Sequence, residues 1–445
     1  MKAKTLGTSS AASSGQPIAI KRLAEPNLQP DHARVVLRPF VPLADRILPV
    51  ITRVDTLSDA LIEEALEQVQ QAFGDDHRDL LERFREHCAL AESWLEADPV
   101  FQGCPLTARA EGLSPERRLL IGAYFTSEYA FEATALFNPS IVAAPEQEHG
   151  ETAETLRFIM STRSVGEGHV SSVSFRTGRI TKDGAVCIDP VGRTAVLGTH
   201  HTIGDGSELQ FDASVPLSER LIFPIALDEQ NGIEDARFVR FTDEYGDIRY
   251  YATYTAYDGK HIRSKMLETD DFLRFTMRPL GGALAQNKGM ALFPRKIRGR
   301  YAMLSRMDGE SLYIAFSENL HVWNEGIRIA APAYPWEFTQ IGNCGSPLEL
   351  PEGWLVLTHG VGSLRRYSIG ALLLDKEDPT RVIGRLTEPL ISPGERERMG
   401  YVPNVVYTCG SIIHRGRLII PYGSADFSIA FITVGVDELL GKLRE

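Results

Sequence analysis

Apolar residues in the first third of the chain recur at helical spacing. Leu57, Leu61, Ala65, Val69 and Phe73 form one stripe and predict a helix that Gly74 can end. Leu80, Leu81, Phe84, Cys88, Ala91 and Leu95 form a second stripe. Ser114 followed by Pro115 reads as a third helix start: a capping hydroxyl, then a proline where its missing N–H costs nothing. That helix is expected to run through Leu119, Leu120 and Tyr124 and on towards Leu136. A strand-like piece at 33–40 precedes all three. From about Asn138 the period drops to two, with short apolar runs between Gly, Asp and Pro turns. Helical spacing returns only at Val436 to Leu443.

The β-rich text carries a weak internal repeat: a polar entry, an apolar strand, a turn, a second apolar strand with a polar end, then a third strand. Copies begin at Phe137-Asn138-Pro139, Glu234-Asp235, Asn287-Lys288, Gly342-Asn343-Cys344-Gly345 and Pro403-Asn404. Five such units predict an all-β five-bladed β-propeller with an N-terminal α-helical extension, against a β-sandwich with a long insertion. The implied division is a flexible N-terminal tail over 1–32, a helical extension over 33–136 and a five-bladed propeller over 137–445.

In a propeller, polar groups at equivalent points of successive repeats converge on one end of the central channel. Asn138, Arg163, Asp235, Arg237, Asn287, Lys288, Arg306, His359, Asn404 and Asp426 are such groups, and Tyr254, Tyr257, Tyr401 and Tyr422 offer ring faces. Hydroxyl-rich sugars suit Asp, Asn, Arg and His partners, and a cluster of Arg, Lys and His also suits an oxyanion. Within Gly232-Ile233-Glu234-Asp235-Ala236-Arg237, strand alternation would put Asp235 and Arg237 on one face and turn Glu234 away.

Bulk properties narrow the class. Over 445 residues, 43% are hydrophobic and 24% charged, as in an ordinary soluble globule. The formal charge of −12, without a basic run or basic amphipathic helix, argues against nucleic acid as a partner. No apolar run is long enough to span a membrane, and the first 17 residues lack the apolar centre of a signal peptide. Five scattered cysteines without a C-x-x-C pair fit a reducing cytoplasm and neither a disulfide framework nor a metal site. His200-His201 has no third ligand at sensible spacing and reads as a loop. Ile203-Gly204-Asp205-Gly206 reads as a hairpin turn.

At these residues the sequence resembles glycoside hydrolase family 130, the inverting β-mannoside phosphorylases and β-mannosidases. The matching text is Gly232 to Arg237, with Ala236 where the family usually has proline; Tyr254-Thr255-Ala256-Tyr257; Asn287-Lys288 with Ala291-Leu292-Phe293-Pro294; Ser317-Glu318 with Trp323; Gly353-Trp354 with His359-Gly360-Val361; Tyr367 to Asp375 with Asp378-Pro379; Val402-Pro403-Asn404-Val405-Val406; and Tyr422-Gly423 to Asp426. The resemblance covers roughly 138–443 and implies a five-bladed propeller.

It further implies phosphorolysis of a β-mannoside with inversion, giving α-mannose 1-phosphate. Asp235 would protonate the leaving oxygen through the sugar's 3-hydroxyl, which calls for a raised pKa that neighbouring Arg237 opposes. Arg163 would bind the sugar, as would Asn138, Arg237, Tyr257, Asn287, His359, Asn404 and Asp426. Lys288 and Arg306 would hold phosphate, with His359 as a further basic group. Inorganic phosphate would be the co-substrate, with no other cofactor and no metal. Gln340 stands where many phosphorylases of the family carry a phosphate-binding lysine; Arg365 and Arg366 would then complete the phosphate site. In the alternative, an inverting β-mannosidase, Glu167 and Asp235 would flank the bond with a water between. A third reading, a non-catalytic glycan-binding propeller, stays open. Partners are expected to be a small oligosaccharide or mannoside, with a homo-oligomer contact through the N-terminal helices. The acceptor-side pocket is expected from the loops at 199–208 and 334–338.

Overall fold

The computed structural model describes residues 18–40, 44–97, 112–147 and 154–443. The first 17 residues of the expected tail lie outside these, as does Cys104.

Among the described residues, four helices form the N-terminal extension: Ala44–Asp55, Asp59–Phe73, Leu80–Ala97 and Pro115–Tyr124. Ser58 and Ser114 cap two of them, each side-chain oxygen accepting from the amide three residues on, Leu61 and Arg117. The stripes pack on one another through Ile47, Ile51, Ile62, Cys88, Ala91, Leu95, Leu120 and Ile121. Two expectations change here. The helix from Pro115 stops at Tyr124, because the strand Thr126–Ala130 begins at once. That strand pairs with Val35–Pro39, which pairs in parallel with Thr194–Leu197 and ties the extension to the β-rich part. The helix Ala44–Asp55 was not foreseen; Pro49 inside it obscures the stripe of Ile47, Ile51 and Val54.

The rest is all-β apart from short 3₁₀ turns and the terminal helix Val436–Leu443. Five antiparallel sheets follow one another. The first holds Ala135–Ala143, Leu156–Val165, Ser171–Ile180 and Val186–Ile188. The second holds Ile233–Thr242, Ile248–Tyr257, Ile262–Thr269 and Arg274–Pro279, extended by a hairpin of Thr199–Ile203 and Gly206–Gln210. The third holds Ala291–Leu292, Tyr301–Ser305, Leu312–Ser317 and Gly326–Ala330. The fourth is built on Gln340–Asn343, Gly353–Val361, Tyr367–Leu374 and Val382–Arg385. The fifth is built on Val406–Tyr407, Arg417–Ser424 and Ser428–Gly435. Its outer edge is taken by Lys21–Arg22, paired with Thr433 and Ile432. The expected flexible tail therefore does not reach residue 32: a two-residue strand without apolar alternation is anchored far along the chain.

Each sheet shares a buried apolar cluster with the next. Phe175 of the first meets Phe238 of the second. Phe241 of the second meets Met303 of the third. Leu304 of the third meets Trp354 of the fourth. Leu357 of the fourth meets Ile420 of the fifth. Ile419 and Phe431 of the fifth return to Ile141 and Phe158 of the first. Among the described residues no helix is long and apolar enough to cross a membrane.

Candidate active site

The opening strands of the five sheets converge on a polar cavity of about 280 Å³. The first sheet supplies Asn138 and Arg163, the second Glu234, Asp235 and Arg237. Lys288 and Arg306 come from the third. The fourth supplies Gln340, Asn343, His359, Arg365 and Tyr367, and the fifth Tyr401, Tyr407 and Asp426.

A shared backbone device aims two of these groups. In the first sheet the pairing slips by one residue between Phe137 and Ser140; in the second it slips between Glu234 and Arg237. Each slip holds one residue in left-handed backbone, Asn138 at φ 47° and Asp235 at φ 54°. Such a bulge re-aims a side chain, and Asn and Asp tolerate that backbone best. Gly232, at φ 121°, makes the approach possible: a Cβ there would lie 2.5 Å from Ser171 Oγ. The bulge also overturns the expected alternation. Glu234 does not point away. It lines the cavity, accepts from Arg163 Nη2 at 2.7 Å and lies 3.6 Å from Lys288 Nζ.

Asp235 is held by cations. Its Oδ1 accepts from Asn138 Nδ2 at 2.7 Å and lies 3.5 Å from Arg163 Nη1; Oδ2 lies 3.7 Å from Arg237 Nη2. Arg237 is itself fixed, donating to Cys344 O, to Tyr407 Oη and to the backbone oxygen of Asp235. Burial favours the neutral acid, but Arg163, Arg237, Lys288 and the Asn138 amide outweigh it and hold Asp235 below the usual carboxylate value. The raised pKa that the resemblance calls for is therefore absent in the free site. The raised acid is Asp426, lifted to about 7 by burial and by the negative charge of Asp235. Two carboxyls in one cavity thus titrate apart.

His359 is buried, and its ring is fully assigned by its partners. Nδ1 faces the backbone oxygen of Asn343 at 3.1 Å and must donate to it; Nε2 faces Arg306 Nη1 at 3.2 Å and must accept. Burial and the charges of Arg306 and Arg237 keep the ring neutral. His359 therefore orients Arg306 and brings no positive charge of its own. Gln340 Nε2 approaches the same ring nitrogen at 3.4 Å. Nearby, Arg306 Nε and both amide atoms of Asn343 are buried with no hydrogen-bond partner among the described residues.

Several expected site residues lie elsewhere. Glu167 is exposed on a 3₁₀ turn outside the cavity lining, so the structure does not bring it together with Asp235. Tyr257 donates to Gly259 O at an exposed turn. Asn287 is a brace: its amide holds the backbone oxygen of Arg306. Asn404 and Arg366 line a neighbouring trough, where Arg366 donates to Pro393 O. Tyr254 and Tyr422 are buried against Glu229 and Glu397. The segment at 199–208 is an exposed hairpin and 334–338 a 3₁₀ turn, neither lining the cavity. Asn343 and Tyr407 also line the cavity without being among the expected site groups; the polar entry Gly342-Asn343-Cys344-Gly345 was a signal for the first, and Tyr407 had none. Among the described residues no cluster of His, Cys, Asp and Glu is arranged to hold a metal.

An all-β scaffold with paired acids and several cations around a small polar cavity defines a carbohydrate-active enzyme. The chain belongs to glycoside hydrolase family 130: the family's model, described as β-1,4-mannooligosaccharide phosphorylase, matches residues 210–445. A 1,2-β-oligomannan phosphorylase of Thermoanaerobacter sp. (strain X514) is 34% identical over 204 residues, 44% of this chain and 66% of that protein, just under two thirds of its length. A β-1,2-mannobiose phosphorylase of the same organism is 29% identical over 316 residues, 69% of this chain and 92% of the relative. Among solved structures, the β-1,2-mannobiose phosphorylase of Listeria innocua superposes with a TM-score of 0.50 at 21% identity, covering 70% of this chain and 92% of its own. A putative glycoside hydrolase of Bacteroides ovatus gives 0.52 at 21%, covering 72% and 91%.

Proposed function

We propose that the protein is a β-mannoside phosphorylase: it cleaves a small β-mannoside with inversion, using inorganic phosphate, and releases α-mannose 1-phosphate. The observation that carries this reading is the charge of the cavity. Arg163, Arg237, Lys288, Arg306 and Arg365 face Glu234, Asp235 and Asp426, the last of which keeps its proton up to about pH 7. A neutral sugar does not need that surplus of cations, whereas a phosphate does. The relatives named phosphorylases agree with it.

In this reading phosphate sits on Arg306 and Arg237, with Lys288 and Arg365 at the rim. Asn138, Arg163 and Asp426 hold the mannosyl hydroxyls. The anomeric carbon loses its bond to the leaving oxygen and gains one to a phosphate oxygen from the opposite face. The leaving oxygen takes a proton relayed by the 3-hydroxyl from Asp235. Asp235 is ionised in the free site, and phosphate supplies the correction: bound on the cations, it cancels the field that depresses this acid, which can then take up the proton held at Asp426.

The five sheets and their five shared clusters support a five-bladed propeller, with 137–445 as its catalytic unit and 33–136 as a mainly helical extension. Exposed Leu61, Phe73 and Tyr124 support a homo-oligomer contact on the extension. The free thiols Cys88, Cys187, Cys344 and Cys409 support a cytoplasmic setting.

The test is product identity. Incubation with β-1,2- and β-1,4-mannobiose should release α-mannose 1-phosphate, seen by phosphorus NMR, only when phosphate is present. Free mannose at an unchanged rate without phosphate would overturn the reading in favour of a mannosidase.

A further inference from the structure

The wall of the cavity formed by Tyr401 and Val402 belongs to a segment held at its root by one buried acid. Glu397 is 2% exposed. Its Oε2 accepts from the Gly394 amide at 2.7 Å, and its backbone oxygen accepts from the Asn404 amide at 2.7 Å. Glu397 thus clamps both ends of residues 394–404. Its remaining oxygen, Oε1, accepts from Arg22 Nη1 at 2.8 Å and, more weakly, from Tyr422 Oη at 3.4 Å, and the same Arg22 nitrogen donates to Tyr422 Oη at 3.0 Å.

Arg22 arrives on the two-residue strand that edges the fifth sheet. Tyr422 lies on the strand Arg417–Ser424, directly before the turn at Ala425 and Asp426, both in left-handed backbone. The Val402 amide donates to Ala425 O at 2.8 Å, so the 394–404 segment and the Asp426 turn are tied to each other. At its far end Tyr401 stacks on His169 of the 3₁₀ turn between two strands of the first sheet, with ring centroids 5.7 Å apart. Both walls of the cavity on this side therefore trace back to one carboxylate, whose charge is met by one guanidinium from the N-terminal strand.

We propose that Arg22 is a positioning residue of the active site: through Glu397 and Tyr422 it fixes the segment that carries Tyr401 and Val402 and the turn that carries Asp426. The N-terminal strand, which lies outside residues 210–445, is then part of the catalytic unit. The kinetic arm of the test rests on the phosphorylase reading; the exchange arm does not.

Arg22 is 43% exposed, so its replacement leaves the core intact. In Arg22→Met, amide hydrogen exchange over 394–404 should speed up about 10-fold or more while the strands Arg417–Ser424 and Ser428–Gly435 keep their protection. The KM for the mannoside should rise about 10-fold with kcat within about twofold and the KM for phosphate unchanged, and Arg22→Lys should recover most of the loss. Glu397→Gln, which keeps the Gly394 contact but not the charge, should behave like Arg22→Met. Unchanged exchange over 394–404 would overturn the proposal. So would a loss of protection throughout the fifth sheet, with kcat, both KM values and melting temperature moving together and no recovery by lysine. If the wild type turns over no mannoside, the functional reading fails alone and the exchange result still decides the latch.

Discussion

Asn138 donates its side-chain amide to Asp235 at 2.7 Å, and the two residues occupy the same left-handed bulge in neighbouring sheets. The amide can only stabilise the ionised form, so it is one of the groups that hold Asp235 low. Replacing it with a second acid reverses the sign. Asn138→Asp should raise the Asp235 pKa, and Asn138→Ala should lower kcat/KM by about 10–100-fold through lost orientation. Initial rates across pH 5 to 8 check both, and an unchanged pH profile in Asn138→Asp would remove this coupling from the mechanism.

Asp426 gives the protein a distinctive stability profile. Its folded pKa of about 7 lies above the ordinary carboxyl value, so the folded state binds the proton more tightly than the unfolded chain. Its contribution is full below the unfolded value of about 4 and is lost as pH rises through 7. Asp426→Asn, neutral at every pH, should gain in melting temperature relative to wild type on going from pH 5 to pH 8. Thermal scans at the two values test this.

The neutral His359 predicts a phosphate-specific defect. His359→Ala frees Arg306 and leaves the Asn343 carbonyl without its donor, and the KM for phosphate should rise about 10-fold or more with a smaller change in the KM for the mannoside. A nitrogen-15 spectrum should show the Nδ1–H tautomer unchanged from pH 5 to 8. A titrating ring in that range would contradict the assigned hydrogen bonds.

Away from the cavity, Glu132 is fully buried between two arginines. It accepts from Arg34 Nη1 at 2.5 Å and from Arg176 Nη2 at 2.7 and 2.8 Å. Arg34 stands just before the strand Val35–Pro39 and Arg176 in the first sheet, so this triad joins the extension to the β-rich part. Glu132→Gln would leave two buried cations uncompensated and should cost about 3–5 kcal/mol in denaturant unfolding.

The sequence showed what depends on local pattern. Alternating strands, serine caps and the ordered polar entries located Asp235, Arg163, Lys288, Arg306 and Asp426 at one cavity. It failed where geometry is made by a single extra residue or by distant pairing. Alternation turned Glu234 away because a bulge cannot be seen in one strand's letters. Asn343 appeared only within a repeat's polar entry, and Tyr407 stands between Val406 and Thr408 with nothing local to single it out. Lys21–Arg22 looked like tail because its pairing partner lies at Ile432 and Thr433.

That last pairing has a kinetic meaning. The fifth sheet can be completed only by joining segments from opposite ends of the described chain, among the most entropically costly contacts in the molecule. The strands of the first four sheets and the helices of the extension pack on neighbours near in sequence and can form as the chain emerges, while the edge of the fifth waits until Ser428–Gly435 is available. Closure of the Arg22–Glu397 latch is therefore expected as a late event in folding, so that catalytic competence would appear after most of the β-structure, as a separate slow phase in refolding followed by activity.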